Sequence, residues 1–277
     1  MSTMHRMMLV VFVGLFISIS AASARADLLD GLLSYWKFDE GTGSKAYDSG
    51  PRGYDGQLAY PGTGVTWVSG AVGGAVRFAG DDLYRIDCGT ASRNITTGLT
   101  GMTVAFWART EDDSGDLISN GKIYNTKYGG TLGARFDGGS DNMFIGIGNP
   151  SGMIGENWVN AEWHYRTVTW GFPYGGTHAR SYVDGDCKGT TSFSAGPLAA
   201  STNNLRFGMN PERTGYSYTG AVDEIAIWDR ALTGAEVLEA YQLGRAGRSL
   251  DWTPPIPEPS ALTLLAAALL ACRRRRV

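Results

Sequence analysis

Along residues 102–109 the chain alternates cleanly. Met102, Val104, Phe106 and Ala108 fall on one side of an extended segment, and Thr103, Ala105 and Trp107 on the other. A period of two is the signature of a strand. Shorter runs of the same kind stand on either side. Ser34, Trp36 and Phe38 alternate with Tyr35 and Lys37, which puts Trp36 and Phe38 inside. Residues 65–68, 75–79 and 83–87 follow, with Val76 and Phe78 on one face. Residues 117–119, 123–128, 132–136 and 143–147 are shorter candidates whose glycine-rich separators predict hairpins. Residues 163–170 make a strong strand. Residues 181–183 lead into Asp184-Gly185, a hairpin turn signal, and residues 190–193 return. Residues 205–209 precede the closing strand.

The closing stretch, Gly220 to Gly244, is the most telling. Val222, Glu224, Ala226 and Trp228 are expected on one strand face, and Asp223, Ile225 and Ile227 on the other. Thr233 and Glu236 form T-x-x-E, a capping box that starts a helix. Val237, Leu238 and Tyr241 share one side of that helix, and Gly244 is placed as its left-handed end. About a dozen strands and one terminal helix predict two stacked antiparallel sheets in a single all-β domain.

Composition changes the picture mainly at the two ends. The chain has 277 residues, with 24 basic and 27 acidic side chains. Residues 1–26 carry His5 and Arg6, an apolar run from Met7 to Ile19, and Ala24-Arg25-Ala26. That order predicts a secretory signal peptide cut after Ala26. An N-terminal membrane anchor is the alternative, and the run is short for one. At the other end Pro257-Glu258-Pro259 precedes an uncharged run, Ala261 to Cys272, and Arg273 to Arg276 close the chain. Twelve residues are marginal for a span, and the arginines suit a cytoplasmic side. Residues 249–256, with adjacent prolines, read as a linker.

Residues 27–248 are therefore the domain. Setting aside Arg6, Arg25, Arg273 to Arg276 and Glu258 leaves 18 basic and 26 acidic residues, a net charge near −8. An acidic surface argues against a nucleic-acid partner and accommodates cations and neutral ligands. Cys88 and Cys187 are the two cysteines of the domain. An oxidising compartment would allow a disulfide between them, and two separate thiols are the other reading.

Catalytic signatures are missing. Asp223 and Glu224 are adjacent, so a regular strand would point them to opposite faces, and no carboxylate pair with hydrolase spacing occurs. G-x-S-x-G and H-E-x-x-H do not occur either. No enzymatic activity is expected. Loop aromatics point instead to saccharide binding, since sugars stack on aromatic faces. The candidates are Trp158, Phe172, Tyr174, Tyr216 and Tyr218, with amides from Asn149 and Asn210. Trp36, Trp107 and Trp228 are assigned to the core.

Six segments, LLSYWKFDEGTGSKAYDSG, GAVRFAG, MTVAFWART, WHYRTVTW, SYVDGD and GAVDEIAIWDRALTGAEV, occur in an order that resembles the laminin-G-like, concanavalin A-like lectin/glucanase jelly-roll family. The resemblance implies an all-β, two-sheet antiparallel jelly-roll sandwich with one short C-terminal helix. It implies a binding or adhesion module for an extracellular polysaccharide or matrix protein. A purely structural matrix role and a glycan hydrolase or lyase are the alternatives. It also implies structural calcium between the loop 48–55 and the closing strand, at Asp48 and Asp223, with Asp39 and Asp55 as helpers. The tail PEPSALTLLAAALLACRRRR closely resembles the PEP-CTERM sorting signal of Gram-negative-type bacteria. That resemblance implies processing by an exosortase-type protease, transient membrane contact, and delivery to the cell envelope or extracellular matrix.

Overall fold

The structure is a computed structural model and describes residues 28–112, 114–121, 133–137, 140–144, 161–171, 178–192, 198, 200–212 and 214–253. The signal peptide expected at 1–26, the strand expected at 123–128 and the sorting tail expected at 257–277 lie outside these residues. No helix among the described residues is long and apolar enough to cross a membrane.

In chain order the strands are β1 (Leu32–Trp36), β2 (Lys45–Ala46), β3 (Gly56–Leu58), β4 (Val65–Ser69), β5 (Gly74–Ala79), β6 (Ile86–Asp87), β7 (Met102–Thr110) and β8 (Ser114–Ser119). They continue with β9 (Gly133–Asp137), β10 (Ser140–Phe144), β11 (His164–Trp170), β12 (His178–Val183), β13 (Asp186–Ser192), β14 (Arg206–Phe207) and β15 (Thr219–Trp228). Helix α1 (Gly234–Arg245) follows. Among the described residues one sheet has eight strands in the order β13-β12-β11-β7-β15-β5-β4, with β1 also on β15. The other has seven, β10-β9-β8-β14-β6-β3-β2. All the pairings between these strands are antiparallel. This is the two-sheet sandwich of a concanavalin A-like jelly roll.

Strand β15 is the spine. Its outer neighbour on one side is β7. Its other side is shared end to end by β5, which pairs with Thr219 to Val222, and β1, which pairs with Ile225 to Trp228. The two cores follow from the alternation. Between the sheets lie Trp36, Phe38, Val76, Phe78, Val104, Phe106, Phe207, Val222, Ile225 and Ile227. On the outer face of the larger sheet, Tyr35, Ala105, Trp107, Tyr165, Ala226 and Trp228 pack under Val237 and Ala240 of α1.

The capping box of α1 forms as expected: Glu236 N donates to Thr233 Oγ1, and Thr233 N donates to Glu236 Oε2. Asp184 and Gly185 both take left-handed backbone, φ 53° and 83°, in the β12–β13 turn. Three expectations change. Gly244 lies inside α1 rather than ending it, because it packs on Trp107, and the left-handed residue is Gly247 at φ 65°. Leu238 stays exposed while Ala240 is buried. The stretch 249–252 is packed rather than free, for Leu250 is buried in the outer core.

Candidate functional site

The register of β15 breaks between Asp223 and Ala226. Glu224 sits there with φ 52°, the extra residue of a bulge. The insertion flips the faces expected for this strand. Val222 joins Ile225 and Ile227 in the inner core, while Ala226 and Trp228 face outward. Asp223 is paired with outward-facing Trp107. The bulge lies where β1 hands over to β5, and two backbone donors of residues 70–74 are taken there by side-chain carboxylates. Asp223 Oδ2 accepts Val72 N at 2.9 Å, and Asp39 Oδ1 accepts Gly74 N at 2.7 Å.

Asp223 is 0% exposed and Glu224 4%. Asp223 Oδ1 and Glu224 Oε1 are buried with no hydrogen-bond partner. Glu224 Oε2 accepts the Tyr35 hydroxyl, whose oxygen accepts Leu250 N at 3.0 Å. Burial pushes the Asp223 carboxyl up to about 9, against the Val72 N–H and with help from Glu224 and Asp39. Burial also pushes Glu224 up to about 8, opposed by the Tyr35 hydroxyl and Lys37 and assisted by Asp39 and Asp251.

The four carboxylates expected to share a calcium ion do not form one ligand set. Asp48 has both oxygens engaged by backbone: Oδ1 accepts Tyr35 N and Gly50 N, and Oδ2 accepts Tyr54 N. Asp55 accepts Asp48 N at 3.1 Å and pairs with Lys45 at 2.8 Å. These two shape the 48–55 loop, a turn-forming role. Asp39 and Asp223 serve the 70–74 hairpin instead. Among the described residues no group of three or more His, Cys, Asp or Glu side chains could hold a metal ion. Asp223 and Glu224 each keep one buried carboxyl oxygen without a hydrogen-bond partner.

Of the aromatic candidates, Trp158, Phe172 and Tyr174 lie outside the described residues, as does the Pro257-Glu258-Pro259 motif. Tyr218 is core, not a ligand contact: it is fully buried, its ring 6.3 Å from that of Phe78. Asn210 is likewise buried, its amide holding Asp116 at 2.7 Å. Tyr216 is half-buried in the 208–218 crossover. Cys88 is buried and Cys187 exposed, and both are free thiols, so the possible disulfide is not formed. They stand on different sheets, at the end of β6 and within β13.

Sequence reasoning missed other exposed aromatics. Tyr47 and Tyr60 are each 53% exposed. Tyr60 lies in the crossover from β3 to β4, where Pro61-Gly62 signals a turn but gives no sign of which ring faces solvent.

A laminin G family model, described as the concanavalin A-like lectin/glucanases superfamily, matches residues 87–238. A search of curated proteins finds no match. Among solved structures, domain 4 of AbnA, an extracellular arabinanase from Geobacillus stearothermophilus solved with arabinotriose, is similar at TM-score 0.56 and 17% identity, over 76% of this chain and 98% of that one. The binding domain of Paraclostridial Mosquitocidal Protein 1 is similar at 0.54 and 16%, over 77% and 52%. Trypanosoma rangeli sialidase, in complex with 2,3-difluorosialic acid, is similar at 0.56 and 16%, over 79% and 33%. The chain thus spans all but a sliver of the arabinanase domain, about half of the toxin structure and a third of the sialidase.

Proposed function

The chain belongs to the concanavalin A-like lectin/glucanases superfamily, and from that premise we propose that it is a non-catalytic saccharide-binding module that works outside the cell. The observation that carries this reading is a family sandwich that presents an exposed tyrosine ring, Tyr60, to solvent while its buried acid pair is sealed away. Asp223 and Glu224 lie on the outer face of the larger sheet, closed over by packed side chains. A glycosidase needs two carboxyl groups flanking a bound glycosidic bond, and a sealed pair admits no sugar. The arabinotriose in the arabinanase domain supports a saccharide as ligand. The signal-peptide and sorting-signal patterns support export and envelope delivery, with an exosortase-type protease as processing partner.

Calcium is part of the proposal at one place. Asp223 and Glu224 would supply two of the roughly six to eight oxygens the ion needs, through the two buried oxygens that lack a hydrogen-bond partner, and backbone carbonyls or water would supply the others. The ion would supply the positive charge that protons otherwise provide there. The Asp48 loop is no longer part of it.

The test is to titrate the full chain with neutral and acidic polysaccharides and to assay the same mixtures for new reducing ends. Saturable binding without new reducing ends is expected. Release of reducing ends would replace the reading with a hydrolase. An inert protein across the whole panel would leave a structural matrix role.

A further inference from the structure

Three crossovers between the sheets are linked at one end of the sandwich: 59–64 from β3 to β4, 80–85 from β5 to β6, and, among the described residues, 208–212 and 214–218 from β14 to β15. They are tied to one another. Ala59 N donates to Arg85 O at 2.8 Å, and Ala79 N to Gly64 O at 3.0 Å. Gly215 N donates to Asp82 Oδ2 at 2.7 Å, and Ser217 Oγ to Asp82 Oδ1. A surface locked in this way loses little freedom when a ligand arrives.

We infer that this end of the sandwich makes the saccharide contact, with the Tyr60 ring as the stacking face for a neutral sugar. The inference rests on the saccharide-binding reading above and states where on the molecule the contact is made.

Tyr60 carries the case. Its backbone is left-handed, φ 54°, a conformation that glycine adopts freely and a bulky side chain only at a cost. The turn itself explains the backbone, since Tyr60 O accepts from Thr63 N, Gly64 N and Val65 N at 3.1–3.3 Å. Nothing in that turn requires a tyrosine. A glycine would serve it better, and what the tyrosine adds is a ring that projects into solvent. Packing does not account for the ring. Tyr84 packs against the inner core, covers Gly64, and meets Tyr60 edge-on at 5.9 Å and 66°. Tyr84 therefore braces Tyr60 from one side, and 53% of Tyr60 remains exposed.

The surroundings select the ligand. Leu83, in the next crossover, is 50% exposed. Asp81 is exposed, with one oxygen capping Leu83 N at 2.8 Å, and Arg85 reaches Leu83 O at 3.2 Å. Apolar area flanked by a few polar groups suits a sugar, which offers a C–H face and hydroxyls together. Asp81 and Asp82 repel a polyanion, as does the net negative charge of the domain, so uronate- or sialate-bearing glycans are disfavoured.

The test uses the full chain with neutral arabino-, xylo- and gluco-oligosaccharides, and with polygalacturonate, read by isothermal titration. Tyr60→Gly is the decisive variant because it relieves the backbone rather than straining it. Its unfolding midpoint should equal or exceed that of the wild type, while affinity for the neutral oligosaccharide falls about tenfold or more. Tyr47→Ala, equally exposed but outside the three crossovers, should bind as the wild type does. If Tyr60→Gly binds undiminished while the wild type binds neutral sugars, the location is wrong and the saccharide reading stands. If only polygalacturonate binds, the ligand class is wrong. If the wild type binds no saccharide, both readings fall.

Discussion

Glu224 adopts left-handed backbone in the middle of the ten-residue strand β15, and its side chain is buried. Two neighbouring carboxyls out of water favour their neutral forms. The ordinary values are 3.8 and 4.5, and in the fold Asp223 and Glu224 rise to about 9 and about 8. A raised folded-state value means the fold holds protons that the unfolded chain has already released. The stabilisation is complete below the unfolded values and is lost as pH climbs through the folded ones. In chelator, the unfolding midpoint should therefore fall between about pH 5 and pH 9, by about 5 °C or more. Asp223→Asn, which keeps the Val72 contact without an ionisable group, should flatten much of that slope. Calcium in place of the protons would hold the midpoint up at pH 8. Identical wild-type curves in calcium and in chelator would remove the cation from the pair, and a flat curve in chelator would show that the carboxyls are already ionised.

At the scale of elements, α1 sits on an aromatic bed. Trp107 stacks on Tyr241 of the helix at 5.7 Å and lies 5.2 Å from Tyr165. Gly244 makes the approach possible, because a Cβ there would overlap the Trp107 indole, 2.7 Å from Cζ2. Alanine would gain about 1 kcal/mol in helix propensity. Overpacking against a buried ring costs about 1–3 kcal/mol, and Trp107, wedged between two tyrosines, has no room to yield. Gly244→Ala should lower stability in urea by about 1 kcal/mol, net of the propensity gain. A more stable variant would mean that the helix shifts freely on its bed. The start of α1 was legible because a capping box is local chemistry. Its glycine was not, since close approach to Trp107 is a tertiary fact and the same residue type commonly ends helices. The faces of β7 were legible from strict alternation. Those of β15 were not, because one inserted residue reverses every later position, and glutamate is no signal for a left-handed bulge.

At the scale of the molecule, the described chain begins and ends on the same outer face. Trp228 Nε1 donates to Leu28 O at 2.9 Å, and Leu250 N meets the Tyr35 hydroxyl at 3.0 Å. Lys37 and Asp251 pair at 2.5 Å, and Arg248 lies 3.7 Å over the Trp252 ring. Prolines after residue 252 suggested a linker, but the apolar Leu250 among polar neighbours gave no periodic sign that it would fill the second core. The same blindness covers the proposed saccharide contact: Tyr60 and Leu83 stand on separate crossovers, and only the fold ties those crossovers together. The two kinds of contact in the strap should differ in weight. Leu250 is buried, and removing most of a buried leucine costs about 2–5 kcal/mol. The Lys37–Asp251 pair is partly exposed, and such pairs contribute about 0–1 kcal/mol. Leu250→Ala should therefore destabilise the domain by about 2 kcal/mol or more in urea, and Asp251→Ala by less than about 1 kcal/mol. Saccharide affinity should survive both, since neither residue lies in the three crossovers. Were Leu250→Ala as stable as the wild type, residues 249–252 would be a linker resting on the surface, and the fold would end with α1.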